Sequence, residues 1–438
     1  MIDYNWIDKI PDGWEVLPLK NCFSFGKGLS ITKADLTENG LNVLSYGQIH
    51  SKQNPIVSIS DELLRHVSEE YSETSPASLA EKNGFIFADT SEDLDGCGNC
   101  SYVDRDDVYA GYHTIVLKPV AQGENWKYLA YLFQTDAWRY QLRKELTEVK
   151  LYSVSQKVLK QTSILVPPKP VREAIVSCLD AKCAAINDAI GRHKKSIEKL
   201  EEYKKAIISD AVIRGINPQV TMKESGISGI GMIPSHYLPT RVKFLGTYRN
   251  GLTYSPTDVC DKDEGILVLR SSNIQNGKIV LEDNVYVNCP VDNRLMVQNG
   301  DILICARNGS AKLVGKSAII EDIRATYGAF MMVLRTTAVP KYMYYVLNSY
   351  VMDIYRASFS TTTVNQLTAG ILGNMVIPYC VDKNEQYEIA CYLDDKCSKI
   401  DFGIKSHQDI IDKLEEYRKS IIYNVVTGKI DCRTEAVE

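Results

Sequence analysis

Between residues 179 and 211, seam positions recur at alternating steps of four and three: Leu179, Cys183, Ile186, Ile190, His193, Ile197, Leu200, Lys204, Ile207 and Ala211. A second stretch repeats the spacing with Leu393, Cys397, Ile400, Ile404, His407, Ile411, Leu414, Arg418, Ile421 and Val425. Steps of four and three put every one of these side chains on a single helical stripe, and the stripe is sustained long enough to predict coiled-coil helices. Each helix has about 40 residues and spans roughly 60 Å at ~1.5 Å per residue.

The two helices also share wording. KLEEYKKAII at 199–208 returns as KLEEYRKSII at 413–422, and LDAKCAAINDAI at 179–190 returns as LDDKCSKIDFGI at 393–404. Two helices with matching seams in one chain can close on each other without another subunit, and an antiparallel coiled coil is expected. His193 and His407 then lie on the seam, as a part-buried polar pair that helps to set register.

Short apolar runs bounded by turn residues precede each helix: GFIFA and HTIVLK in the first half, DILICA and FMMVLR in the second. They read as buried strands. Other segments correspond more faintly. IPDGWEVLPLKNCFSFGKGLS (10–30) matches IPSHYLPTRVKFLGTYRNGLT (233–253), with Asp35 and Asp258 at equal distances beyond, and SYGQI (45–49) matches RSSNI (270–274). The expected fold is α+β: two mixed α/β globules, each followed by a long helix, as a pseudo-twofold internal repeat. The expected boundaries are a first globule at 1–170, a central helix at 171–216, a connector and second globule at 217–381, and a C-terminal helix at 382–438. Glycine, serine and proline in 217–237 break the heptads there.

The chain has 438 residues, 45% hydrophobic and 24% charged, with a formal net charge of −5. That is the composition of a globular protein, and no apolar run reaches the ~18 residues of a membrane helix. MIDYNWIDKIPDGWEV carries acids and a proline where a secretory signal would be basic and then apolar, so a cytoplasmic location is expected. The 12 cysteines are scattered, several within apolar runs, and read as reduced core residues. One CxxC, Cys97 to Cys100, lacks a second half-site, so a loop turn is read there and no metal. Charge is uneven: residues 61–107 hold 13 acids against 3 basic residues, whereas 192–214 has 7 basic against 4 acidic. Local patches, not the total, must decide what the surface binds.

No catalytic residues emerge. GKS at 315–317 has Gly309 one residue too far away for a phosphate loop, and AII after Ser317 reads as a strand where a helix should start. GISGIGMIP opens no helix after a strand, so it is not a dinucleotide fingerprint. The motif that amino-methyltransferases use on a flipped base is absent. The six histidines fall in no HExxH or triad-like context.

LEEYKKAIISDAV, the connector KESGISGIGMIPSHY and a second globule on the same plan together resemble the specificity subunit of type I restriction-modification systems. The resemblance covers the organisation of the whole chain and is most specific in the connector and helices. Family connectors commonly carry an acid before the IP and a tryptophan after it; here Met232 precedes and Tyr237 follows, while Trp14 fills the matching place in the first half. The resemblance implies a non-catalytic subunit whose globules each read one half of a bipartite, asymmetric site on double-stranded DNA. The helix pair would set the half-site spacing and dock two methyltransferase subunits, and restriction subunits would join them. S-adenosylmethionine and ATP would belong to those partners, and this chain would hold no cofactor of its own. A coiled-coil scaffold without DNA is the alternative, and a nucleotide-binding or nuclease enzyme a further one.

Within the globules, RNGSAKLVGK (307–316) is a basic loop after a buried strand. Arg307 and Asn308 are candidates for base edges, since arginine suits guanine and asparagine adenine; Lys312 and Lys316 are candidates for phosphates. Arg270 and Asn273 in the second half, with Tyr46 and Gln48 at the matching place in the first, suit base edges or backbone oxygens. The hydroxyl-rich loops ASFSTTTVNQ (357–366) and KLYSVSQ (150–156) suit phosphate contact or helix capping equally. The acid-rich 61–107 is expected to face solvent or a partner, although an acid such as Asp93 could accept from cytosine N4.

Overall fold

The computed structural model describes residues 6–121, 123–146, 151–356, 359 and 365–433. Two compact units divide the chain, Met1–Arg192 with Ile410–Glu438 and His193–Asp409. Each contains one globule and a half of each long helix.

In the first unit a four-stranded sheet runs in the order Phe23–Lys27, Thr114–Pro119, Phe85–Ala88, Cys100–Tyr102. Its strands are antiparallel throughout, and its central strands are GFIFA and HTIVLK, fully buried along most of their length. A second sheet runs Leu36–Thr37, Arg65–Val67, Leu41–Leu44, Val108–Ala110, with its last pairing parallel. The second unit builds the same two sheets: Gly246–Asn250, Met331–Thr336, Ile302–Cys305, Ser317–Ile319, and Val259–Cys260, Val285–Val287, Ile266–Leu269, Ala325–Tyr327, again ending on a parallel pair. Asp35 and Asp258 do the same work in both halves. Each carboxylate accepts the backbone N–H three residues earlier, from Thr32 and Ser255, at 2.7 Å.

Each globule is closed by pairing its first strand with its last, Glu15–Pro18 with Ser163–Val166 and Leu238–Arg241 with Val376–Tyr379. The last strand leads into a long helix, Lys169–Arg214 or Lys383–Val426. A repeated clamp fastens each helix to its globule. Asp180 accepts from Tyr131 Oη at 2.5 Å and Lys127 Nζ at 2.6 Å; Asp394 accepts from Tyr345 Oη at 2.6 Å and pairs with Lys341 Nζ at 3.1 Å.

Every seam position named above is at least partly buried, from fully buried Leu179 and Leu393 through half-buried Ile197, Leu200, Ile207, Ile404 and Leu414. The helices run antiparallel. In the second unit the two Nδ1 atoms of His193 and His407 are 2.7 Å apart, and Lys204 Nζ donates to Asp401 at 2.6 Å. In the first, Arg418 donates to Asn187 at 2.7 Å. At 2.7 Å one imidazole must donate to the other, which orients both rings on the seam.

The helix halves also belong to the globules. Ile208, Ala211 and Val212 share one apolar cluster with Ile389, Leu393 and the second globule's Ile302, Ile304 and Leu334. Burying a side chain of that size contributes about 1.5–3 kcal/mol, which is why globule and helix segments fold as one unit. The connector forms an antiparallel hairpin, Met222–Ile227 with Ile230–Pro234, whose Ile227, Ile230 and Ile233 enter the same cluster. Both long helices end on a glycine with positive φ, Gly215 at 74° and Gly428 at 70°. An aromatic ring abuts each one. A Cβ on Gly215 would lie 3.3 Å from Tyr237 Oη, and one on Gly428 would lie 3.2 Å from Trp14. Tyr237 thus occupies in the second half the place Trp14 holds in the first.

Candidate nucleic-acid interface

The strand Ile302–Cys305 carries the chain out of the core and into Arg307–Asn308, which pairs with Asn365–Gln366. The N–H groups of Ala306 and Arg307 both donate to the Phe330 carbonyl, at 2.9 and 3.0 Å. This fixes the Arg307 guanidinium 5.2 Å above the Phe330 ring, whose residue is 59% exposed. An arginine stacked on an exposed ring keeps its planar fork free to approach a base edge.

Arg307, Asn308 and Phe330 line a groove of about 1200 Å³ together with Arg270, Tyr254 and Val259. Asn308 reaches across it, donating to Ser271 Oγ at 3.1 Å. Arg270 pairs with Asp283 at 2.6 Å, with the aspartate 71% exposed. An exposed pair of this kind is worth about 0–1 kcal/mol, so an incoming acceptor can replace the carboxylate at little cost. Arg270 Nε is buried without an acceptor among the described residues.

The structure therefore brings Arg307, Asn308 and Arg270 to one groove and gives other candidates different work. Asn273 is buried: its Oδ1 accepts from Arg270 N at 2.8 Å and its Nδ2 donates to Val280 O at 3.0 Å. Lys316 Nζ donates to the carbonyls of Ser271 and Ile274 at 2.6 and 3.0 Å, two of its three hydrogens. Both residues shape the 270–274 turn from beneath. Lys312 is exposed on the turn Ala311–Leu313. Ser317–Ile319 is a strand, so no helix N-terminus follows Gly315-Lys316.

In the first globule the equivalent turn is built the same way, with Gln48 Oε1 accepting from Ser45 N at 3.2 Å. Tyr46 meets His50, Tyr112 and His113 edge-on, with ring centroids 5.4–6.2 Å apart. Thr90–Ser91 pairs with Tyr152–Ser153 as Arg307–Asn308 pairs with Asn365–Gln366, and exposed His113 stands where Phe330 stands. His113 lies 3.2 Å from Asp89. Sequence reasoning missed His113, Tyr112 and Phe330; only their position just before the central strand could have pointed to them.

Several acids of 61–107 brace loops. Arg105 sits between Asp61 and Asp107, and its hydrogen bonds hold the Asp107 carboxyl below the usual range. Asp104 and Asp106 accept from Ile59 N and Lys82 N, and exposed Asp93 accepts from Gly96 N at 2.6 Å. Cys97 and Cys100 are buried, and burial pushes the Cys100 thiol up to about 12. Of the hydroxyl-rich loops, 150, 357, 358 and 360–364 lie outside the described residues.

A chain of two alike sheet-built globules, each rooted on a long helix, is a defined class of fold. Over 96% of its length it superposes, with a TM-score of 0.70 and 16% identity, on the whole of a solved chain from work on complex assembly and conformational transition of the type I R-M system. Residues 11–201 match the family model of the type I restriction modification DNA specificity domain. The specificity subunit of type I restriction enzyme EcoKI from Escherichia coli K12 is 26% identical over 212 residues, 46% of this chain and 44% of that one. The MjaVIII specificity subunit of Methanocaldococcus jannaschii is 22% identical over 289 residues, 63% of this chain and 64% of that one. The matches thus span less than two thirds of either relative. The first half of this chain is thus similar to a type I DNA specificity domain, and the chain is similar in part of its sequence to type I specificity subunits. Among the described residues no helix is long and apolar enough to cross a membrane.

Proposed function

We propose that this chain is the DNA sequence-recognition subunit of a type I restriction-modification complex. Each globule reads one half of a bipartite, asymmetric site on double-stranded DNA. The helix pair sets the half-site spacing and carries two methyltransferase subunits, with restriction subunits joining them. S-adenosylmethionine and ATP are held by those partners, the chain itself performs no chemistry, and it works in the cytoplasm.

One observation supports this reading above the others. The same turn and strand pair occur in both globules, yet the side chains at matching positions differ: Arg270, Arg307 and Phe330 line the groove in one, whereas the other has buried Ser45, half-buried Thr90 and exposed His113. Equal scaffolds with unequal presenting residues suit two different half-sites, with arginine directed at guanine and the polar, aromatic set at another edge pattern. A scaffold that only paired helices would need neither groove nor stacked arginine.

The test is methylation of duplex DNA by the purified chain, alone and with its cognate methyltransferase. Target-specific methylation is expected only with both. Methyl transfer by the highly purified chain alone would overturn the reading.

A further inference from the structure

At the root of the second long helix three donors of different chemistry converge from segments far apart in the chain. His236 follows the connector hairpin, Cys380 follows the strand Val376–Tyr379, and Glu385 lies in the helix's first turn. Their ligating atoms all lie within 4.8 Å of one another, and His236 Nε2 is 2.7 Å from Glu385 Oε2. We propose that His236, Cys380 and Glu385 form a divalent transition-metal site, of the zinc class, that ties the connector and the last strand to the helix.

The donor set carries the assignment. A nitrogen, a sulfur and a carboxylate oxygen suit tetrahedral zinc, with bonds of about 2.0–2.3 Å and one position left for water. Ligands in such a tetrahedron are roughly 3.3–3.8 Å apart, so side-chain shifts on the order of 1 Å complete the site. The Cys380 thiol proton leaves to solvent as the sulfur–metal bond forms. Thiolate and carboxylate then balance the two charges of the ion.

The framework around the donors is already in place. Cys380 N donates to Tyr342 Oη at 3.2 Å, and Cys380 O accepts from Gln386 Nε2 at 2.7 Å. Gln386 is fully buried and also accepts from Val339 N at 2.7 Å. Tyr237 Oη donates to Glu385 Oε1 at 3.0 Å, leaving Oε2 to the metal. Partners of this kind orient ligands before the ion arrives. Cys380 is fully buried while the His236 ring is 43% exposed, so the ion enters from the histidine side. At the matching positions of the first half, Gly13 and Val171 stand where the second has His236 and Glu385.

The test is a cobalt(II) titration of the full chain, read by the near-ultraviolet thiolate-to-cobalt charge-transfer band, with zinc as competitor. One equivalent per chain is expected, displaced by zinc, with the thermal midpoint raised by zinc. His236→Gln keeps the thiol and alters only a half-exposed ring; it should weaken binding on the order of tenfold or more and abolish the zinc-dependent rise. Cys380→Ser should lose the band, whereas Cys97→Ser with Cys100→Ser should keep it. A missing band, or one that His236→Gln leaves unchanged, would show a hydrogen-bonded brace only and overturn the proposal.

Discussion

Lys312 and Lys316 stand four residues apart in one basic loop, and their surroundings separate them. Lys316 is committed to the Ser271 and Ile274 carbonyls, whereas Lys312 is exposed. On the proposed function, Lys312→Ala should weaken binding to all duplexes alike and reduce the salt slope by about one ion, measured by fluorescence anisotropy across salt concentrations. Lys316→Met should leave that slope alone and destabilise the protein by about 1–3 kcal/mol, because two carbonyls lose a charged donor. Arg307→Ala should cost about 1–3 kcal/mol at a single base position and relax the sequence preference there. Uniform weakening by Arg307→Ala across unrelated duplexes would mark it as a phosphate contact. The loop's charge was legible in the sequence; which lysine is spent within the fold was not, because the acceptors lie more than 40 residues away.

At the scale of elements, the clamps at Asp180 and Asp394 predict equal effects in the two halves. Tyr131→Phe and Tyr345→Phe each remove a hydrogen bond to a carboxylate, about 1.5–3 kcal/mol. Each should lower the urea midpoint for its own unit, and an unchanged midpoint would refute the clamp. The first long helix is also tied to the second globule through Asp353, which pairs with Lys205 and, at 2.7 Å, with Arg356. Burial alone would raise the Asp353 carboxyl, but the hydrogen bonds from Lys205 and Arg356 prevail and hold it below its ordinary 3.8. A depressed carboxyl contributes stability above its unfolded value and loses it as pH falls through the folded one. Asp353→Asn should therefore destabilise at pH 7, and the gap should close as pH falls below about 4, followed by thermal unfolding at stepped pH. The heptads, the buried strands and their repetition were legible because each is a local pattern. The connector hairpin was not, since its turn glycines read only as an interruption. Nor was the metal-type cluster, whose donors meet only when connector, strand and helix are folded together.

At the scale of the whole molecule, the proposal makes the helix pair a spacer and the globules independent readers. Four residues inserted into each long helix add roughly 6 Å and keep most of the seam's face. With base pairs rising about 3.4 Å each, the unspecified gap in the methylated site should grow by one or two pairs while both half-site sequences persist. Two residues rotate the seam by about 200° and should abolish activity instead. The central claim is tested most directly by replacing residues 233–378 with the matching globule of another type I chain and mapping methylated sites genome-wide by sequencing. The account predicts that one half of the site changes to the donor's and the other half is untouched. A site changed in both halves, or in neither, would contradict it.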